Sequence, residues 1–183
     1  VEYLVRDMLS QAEHDPDAGA ILVTTSSKQA EEVAKRLKNL IPTLPRREII
    51  EASFANRSAI IVADDLEEIF EAVNEIAPEH LEVLTEHPFE DLHRIRNAGA
   101  IFLGPNSPEP VGDYFAGPNH TLPTSGCAKF SSPLGVQDFV KTSSVISYSA
   151  ERLERQGEQI IHFAEEEGLF AHAEAIRVRL ENK

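Results

Sequence analysis

The sequence has few features that would cross-link the chain or anchor it in a bilayer. It contains a single cysteine, Cys127, in 183 residues. One cysteine excludes an internal disulfide and is typical of a reducing compartment, so we expect a cytoplasmic protein. No apolar run approaches the ~18 residues that a membrane-spanning helix needs. The first residues, 1–14, also lack the pattern of a secretory signal peptide.

Positive charge is scarce as well. Seventeen Lys and Arg stand against 31 Asp and Glu, which gives a net charge of −14. Such a surface repels phosphate backbones and anionic lipids, so we expect neither nucleic acid nor a membrane surface as a partner. Hydrophobic residues make up 42% and charged residues 26%. That balance is typical of a globular protein and argues against disorder.

The chain also lacks an initiator methionine and opens directly on a helical pattern of apolar residues. This start suggests a chain cut from a longer protein, although processing could also remove a methionine. The length predicts one domain, or one domain with an appendage.

Short β-rich runs alternate with helical patterns along the chain. The predicted strands span residues 20–26, 58–64, 81–85, 99–104 and 143–149. The predicted helices span residues 2–13, 28–40, 66–76, 87–97, 134–141 and 150–181, the last broken at Gly168. This alternation indicates an α/β fold with a mostly parallel sheet flanked by helices. We expect an α/β domain over 1–149 and a helical tail over 150–183, which either packs on the sheet or reaches a partner.

A proline- and glycine-rich segment, residues 104–133, shows no periodicity. Loops of this length inside a compact domain are usually functional. It contains Asp113 and, seven residues on, His120. A stiff loop that carries these residues is a plausible ligand platform, and a purely structural loop is the alternative.

Two further pairs combine side chains that can bind metal or move protons. Gln11 and His14 project from one face of the first helix, although a solvated histidine near a helix end would explain His14 equally well. Glu79 and His80 precede a predicted strand, where a carboxylate beside an imidazole can move protons near neutral pH. The alternative there is a solvated turn.

The last pair, Glu167 and His172, flanks the break in the tail and could be ordinary surface residues. Together Gln11, His14, Asp113 and His172 form a nitrogen and oxygen donor set that suits zinc, manganese or cobalt. Spacing alone leaves open whether the four converge. No HExxH, CxxC, Walker or GxGxxG motif is present.

Five segments in order carry a resemblance to a known family. They are SQAEH (10–14), APEHLEV (77–83), NAGAIFLG (97–104), GDYFAGPNHTLPTSGCAKFSSPLGVQDFVK (112–141) and EGLFAHAEAI (167–176). Together they resemble the histidinol dehydrogenases, over essentially the whole chain. The long block that begins GDY is the most specific of the five.

The resemblance implies an enzyme that oxidises L-histidinol to L-histidine through a bound aldehyde, with two NAD and one zinc per site. It implies a Rossmann-like fold and a homodimer whose tails complete the neighbouring subunit's site. Glu79 and His80 look like the acid–base pair. The residues that resemble the zinc ligands, and that also contact substrate, are Gln11, His14, Asp113 and His172. Further substrate contacts by resemblance are His80, His120 and Glu167.

The chain departs from the family in ways that limit this expectation. Family members are more than twice as long, and the part that precedes this region carries most of the NAD contacts and one substrate-binding serine. Gln137 stands where an aromatic residue is common. We therefore expect the C-terminal part of such an enzyme, with little or no activity alone. The alternatives are a metal-binding or dimerising module without activity and a zinc hydrolase that uses Glu79 as its base.

Overall fold

The computed structural model describes residues 1–181, which fall into two compact units. The first unit is Val1–Phe139, and the second begins at Val140. The helices of the first unit are α1 (Glu2–Ala12), α2 (Ser27–Leu40), α3 (Arg47–Asn56), α4 (Leu66–Ile76), α5 (Pro88–Asp91) and α6 (Glu109–Tyr114). Its strands are β1 (Ile21–Thr24), β2 (Ala59–Val62), β3 (His80–Val83) and β4 (Ala100–Leu103).

The strands form two parallel pairs. β1 pairs with β2, beginning at Ile21 opposite Ala59, and β3 pairs with β4, beginning at His80 opposite Ala100. Parallel neighbours need crossover connections, and helices supply them in both pairs. The predicted α/β class is therefore confirmed. Within residues 1–181 the strands make two separate two-stranded sheets instead of one continuous sheet.

The core of the first unit lies around α1 and the first sheet. The apolar stripe of α1 is buried, including Val5 and Leu9, and it packs with Leu22 of β1 and Val33 of α2. This is the 3.6-residue pattern that the sequence shows. Ser26 begins α2 by accepting a hydrogen bond from the Gln29 N–H, at 3.2 Å. The apolar face of α1 is thus fixed against the sheet.

The predicted fifth strand, residues 143–149, is wrong. These residues are irregular, and Val145 and Ile146 are 93% and 83% exposed. A β-rich run becomes a strand only when an edge is available for pairing, and the backbone here has no strand partner among the described residues.

Several helix predictions need correction too. The predicted helix 134–141 is only a 3₁₀ turn, Val136–Phe139, and 87–97 is α5 followed by the 3₁₀ turn Leu92–Arg94. The helix α3 was not predicted, and neither was α6 inside the proline-rich segment. Pro110 sits in the first turn of α6, where proline is tolerated because a first-turn N–H has no helical partner.

The second unit contains a pair of helices, α7 (Ala150–Glu166) and α8 (Phe170–Glu181). The turn between them uses Gly168 with φ of +74°, as the predicted break requires. Ile161 and Ala164 of α7 bury against Ala173 of α8. The predicted helical tail is confirmed. No helix in the described part of the chain is both long and apolar enough to span a bilayer.

A buried asparagine fixes the turn that leads into β4. Asn74 Nδ2 donates to the Arg94 carbonyl at 2.9 Å, and Asn74 Oδ1 accepts from the N–H groups of Arg96 and Asn97 at 2.6 and 3.1 Å. Removing the amide would leave three partly buried backbone groups without this partner. We expect Asn74→Leu to lower the free energy of unfolding by about 2–4 kcal/mol, measured by urea denaturation.

The exposed Asn39 of α2 offers a matched control. Asn39→Leu is expected to change stability by less than about 0.5 kcal/mol. Equal shifts for the two variants would show that the Asn74 hydrogen bonds do not stabilise the turn.

Candidate active site

One face of α1 is polar and carries four residues at helical spacing. Asp7, Ser10 and Gln11 follow one another at i, i+3 and i+4, which places them along a single stripe that leads towards His14. Gln11 is half-buried in the last turn of the helix. His14 lies just beyond the helix end, where its N–H reaches the Gln11 carbonyl at 3.4 Å. Both predicted donors therefore lie at the C-terminal end of α1, Gln11 within its last turn and His14 just past it.

The turn between α4 and β3 places Glu79 and His80 at the start of the strand. The chain leaves α4 through Ala77, which is buried with a left-handed backbone at φ of +50°. A non-glycine residue in this conformation stores strain of order 1–3 kcal/mol, a feature that clusters at functional sites. A Cβ on Gly99 would lie 2.6 Å from the Glu79 carbonyl oxygen. Gly99 thus lets the chain that enters β4 approach Glu79 closely.

His80 is the centre of the site. Its Nε2 lies 3.9 Å from Asp113 Oδ1 and 4.0 Å from Glu109 Oε1, too long for hydrogen bonds. Both ring nitrogens are buried and have no hydrogen-bond partner within residues 1–181. Burial lowers the pKa of His80, although the Glu79 and Asp113 carboxylates oppose it. The ring is therefore neutral near pH 7 and able to accept a proton.

The sequence pattern does not single out Glu109, which stands one helical turn before Asp113 on α6. Its side chain is buried. Burial is the largest cause of a raised Glu109 pKa; the Asp113 carboxyl raises it as well and Ser10 lowers it, and together these effects bring the pKa to about 7. The pattern E-x-x-x-D at residues 109–113 would have indicated this pair if the segment had been recognised as a helix.

The raised pKa of Glu109 predicts a pH-dependent stability for the metal-free protein. An unfolded chain ionises this carboxyl near 4.5, whereas the folded chain keeps it protonated up to about 7. The contribution of protonated Glu109 to the free energy of unfolding is therefore fully present below pH 4.5 and is lost as the pH rises through 7. Glu109→Gln mimics the protonated acid. We expect thermal denaturation to give this variant a melting temperature near that of the wild type at pH 5 and above it at pH 8. If the two proteins differed in melting temperature by the same amount at both pH values, Glu109 would not have the raised pKa.

Three side chains are placed so that they could share a metal ion. His14, Glu109 and Asp113 each offer a ligand atom, and these atoms lie within 4.8 Å of one another. Ligand atoms on one tetrahedral zinc stand about 3.4 Å apart, a separation that lies within this limit. The nitrogen and oxygen donors suit zinc, and a cation would offset the repulsion between Asp113 and Glu109. The residues present therefore fit a divalent metal.

A cavity of about 490 Å³ opens beside His80. Asp113 and His120 line it as well, so three of the predicted site residues face one space. Phe102 forms part of the wall, and its ring is tilted at 45° against that of His80, with the centroids 6.0 Å apart. The cavity lining is largely apolar with a few polar side chains, which is typical of small-molecule sites.

Two predicted site residues belong to the second unit. Glu167 follows the last residue of α7 and is exposed. His172 is exposed in the first turn of α8, and its N–H donates to the Leu169 carbonyl at 3.0 Å. Their roles remain predictions.

Comparison with known proteins decides the family. The family profile described as histidinol dehydrogenase matches residues 1–180. The chain belongs to the histidinol dehydrogenase family. It is 59% identical over 181 residues to the histidinol dehydrogenase of Halalkalibacterium halodurans, covering 99% of this chain and 43% of that protein. The Listeria monocytogenes serotype 4b histidinol dehydrogenase is 53% identical over 181 residues, covering 99% and 42%.

The solved structures agree with this family assignment. The crystal structure of histidinol dehydrogenase from Elizabethkingia anophelis has a TM-score of 0.90 and 36% identity, covering 98% of this chain and 41% of that one. The chain thus spans about two fifths of the length of these histidinol dehydrogenases.

Proposed function

We propose that this chain is the C-terminal part of a zinc-dependent, cytoplasmic histidinol dehydrogenase. The proposed reaction oxidises L-histidinol to L-histidine through the aldehyde, consuming two NAD and one water and releasing two NADH. The observation that carries the proposal is the neutral, unpaired His80 beside a cavity, facing the carboxylates of α6. Membership of the histidinol dehydrogenase family supports it.

The zinc ligands in this proposal are Gln11, His14, Asp113 and His172. His14 and Asp113 already have ligand atoms within 4.8 Å of each other, and Gln11 lies in the last turn of α1, three residues before His14. Bound zinc would supply a Lewis-acidic centre that orients the imidazole and amine of histidinol. Glu109 stands next to this set, where it can accept a hydrogen bond from the substrate amine.

His80 acts as the base in both oxidations. Its neutral ring accepts the proton of the substrate alcohol while NAD takes the hydride. Burial keeps the ring free of bulk water, so the proton has few other acceptors. His80 then gives this proton up to water, which restores the neutral ring, and accepts a second proton when the hydrated aldehyde is oxidised.

Glu79 activates the water that hydrates the aldehyde. It adjoins His80 in sequence and influences the pKa of that ring electrostatically. An ionised carboxylate beside a neutral imidazole gives the site one base for the water and another for the alcohol. His120, which lines the cavity, and Glu167 are proposed as substrate contacts.

We also propose that the tail works across a homodimer. Glu167 and His172 would then complete the site of the neighbouring subunit. NAD would be held mainly by the part of the enzyme that this chain lacks relative to the proteins it matches. The isolated chain should therefore show little turnover.

The test uses the full-length enzyme, meaning this chain joined to the part that corresponds to the rest of its relatives. We expect two NADH per histidinol, loss of activity after chelation and recovery with zinc. The isolated chain serves as the comparison. Absence of NADH production by the full-length enzyme would refute the proposed function, and robust turnover by the chain alone would refute the proposed division of the NAD site.

A further inference from the structure

The strand that carries His80 also carries a carboxylate that the proposed function does not use. Glu82 lies two residues after His80 on β3, so both side chains point to the same face of the sheet. Glu82 Oε1 accepts a hydrogen bond from the Glu109 N–H at 2.8 Å. One face of β3 thus meets α6 at two places. Glu82 accepts from the first backbone N–H of α6, and His80 lies opposite the α6 carboxylates.

α6 lacks the means to satisfy that amide by itself. The first N–H groups of a helix have no partner within it, and a side chain at the preceding position usually accepts one of them. Here that position is Pro108, which has no side-chain acceptor. Pro110 has no N–H, and the Val111 N–H reaches the Pro108 carbonyl at 3.0 Å. The buried Glu109 N–H is therefore the donor that needs an external partner, and Glu82 supplies it.

Glu82 also faces α1. Asp7 of that helix lines the same small pocket as Glu82, close enough to raise the pKa of the Glu82 carboxyl. Burial raises the pKa of Glu82 to about 7. These contacts connect the helix of Gln11 and His14, the strand of His80 and the helix of Asp113 through a single side chain.

We infer that Glu82 is a positioning residue, whose side chain caps α6 and so fixes Glu109 and Asp113 opposite His80 and His14. Its effect on catalysis rests on the proposed function, whereas its effect on α6 and on metal binding does not. What α6 needs at this point is a hydrogen-bond acceptor at the right distance, and the negative charge itself is dispensable.

Three substitutions of Glu82 in the full-length enzyme separate these requirements. Glu82→Gln keeps the acceptor oxygen and can donate its amide to Asp7. Glu82→Leu has similar size but no acceptor. Glu82→Asp keeps the charge and is one methylene too short. The control is Glu68→Leu, because Glu68 makes a similar bond to the Asp64 N–H at the start of α4, at 2.6 Å.

We expect Glu82→Leu and Glu82→Asp to weaken zinc binding by about 10–100-fold and to lower kcat for histidinol by a similar factor. Hydrogen exchange of the segment that contains the Glu109 amide should also speed up. Glu82→Gln should stay close to wild type in all three measurements, and so should Glu68→Leu. Zinc affinity is measured by competition with a chromogenic chelator.

Several results would overturn the inference. In the first, Glu82→Leu keeps the zinc affinity and the Glu109 amide protection of the wild type. In the second, Glu82→Gln loses as much zinc affinity and amide protection as Glu82→Leu does. If Glu82→Leu does not fold, wild-type behaviour of Glu82→Asp would overturn it instead. A wild-type enzyme that fails to oxidise histidinol would count against the proposed function alone, because exchange at the Glu109 amide still tests the role of Glu82.

Discussion

Replacing His80 with asparagine is expected to lower kcat for histidinol oxidation by about 10²–10⁴-fold, the usual contribution of a general base. Asparagine retains a polar side chain of similar size but cannot accept the substrate proton. The ring of His80 contacts no hydrogen-bond partner within the described chain, so the substitution breaks no internal bond. Steady-state NADH production at saturating histidinol and NAD measures the effect.

The His80 prediction has a specific control. His162 is exposed on α7, and His162→Asn should leave kcat unchanged. Zinc content should remain at the wild-type level in both variants, because neither residue is proposed as a ligand. A His80→Asn enzyme with more than a tenth of wild-type kcat would show that another group takes the proton.

Replacing Asp113 with alanine is expected to weaken zinc binding by more than the ~10–100-fold that outer partners of a metal site contribute. Asp113 offers a ligand atom within 4.8 Å of those of His14 and Glu109, and its carboxylate also raises the pKa of Glu109. Metal content after dialysis and a chelator competition assay measure the loss.

The control for this prediction is the exposed Asp64, which precedes α4. Asp64→Ala should bind zinc as the wild type does. Asp113→Asn keeps one ligand oxygen and should fall between the wild type and Asp113→Ala. If Asp113→Ala retained full zinc after dialysis, the proposed metal site would be in the wrong place.

Sequence patterns predicted those elements whose periodicity comes from the core that they pack against. The stripe of α1 and the buried run of β1 are examples, because burial of one face imposes their spacing. The run 143–149 failed for the opposite reason. Its residues favour a strand, but a strand also needs a pairing edge, which is a tertiary property. Helix α6 was not predicted because Pro108 precedes it and Pro110 lies in its first turn, and prolines usually indicate a loop.

The site could be predicted in part for similar reasons. His80 and Asp113 stand out because their sequence patterns predict a turn and a loop, where a histidine and an aspartate have little structural purpose. Glu109 and Glu82 do not stand out, because glutamate is common on acidic surfaces and the chain carries many. Only the fold shows that these two are at least half-buried and meet through a backbone amide. Buried carboxylates are costly, which is why their position is informative.

Pro108, which precedes α6 and cannot cap it, affects the order in which the elements of the chain fold. A helix of six residues is far below the length at which isolated helices persist in water. With its cap supplied from β3, 27 residues upstream in sequence, α6 should remain unstructured until the second sheet has formed. Zinc uptake would then report completed tertiary folding, and a refolding chain should acquire its metal in a late kinetic phase.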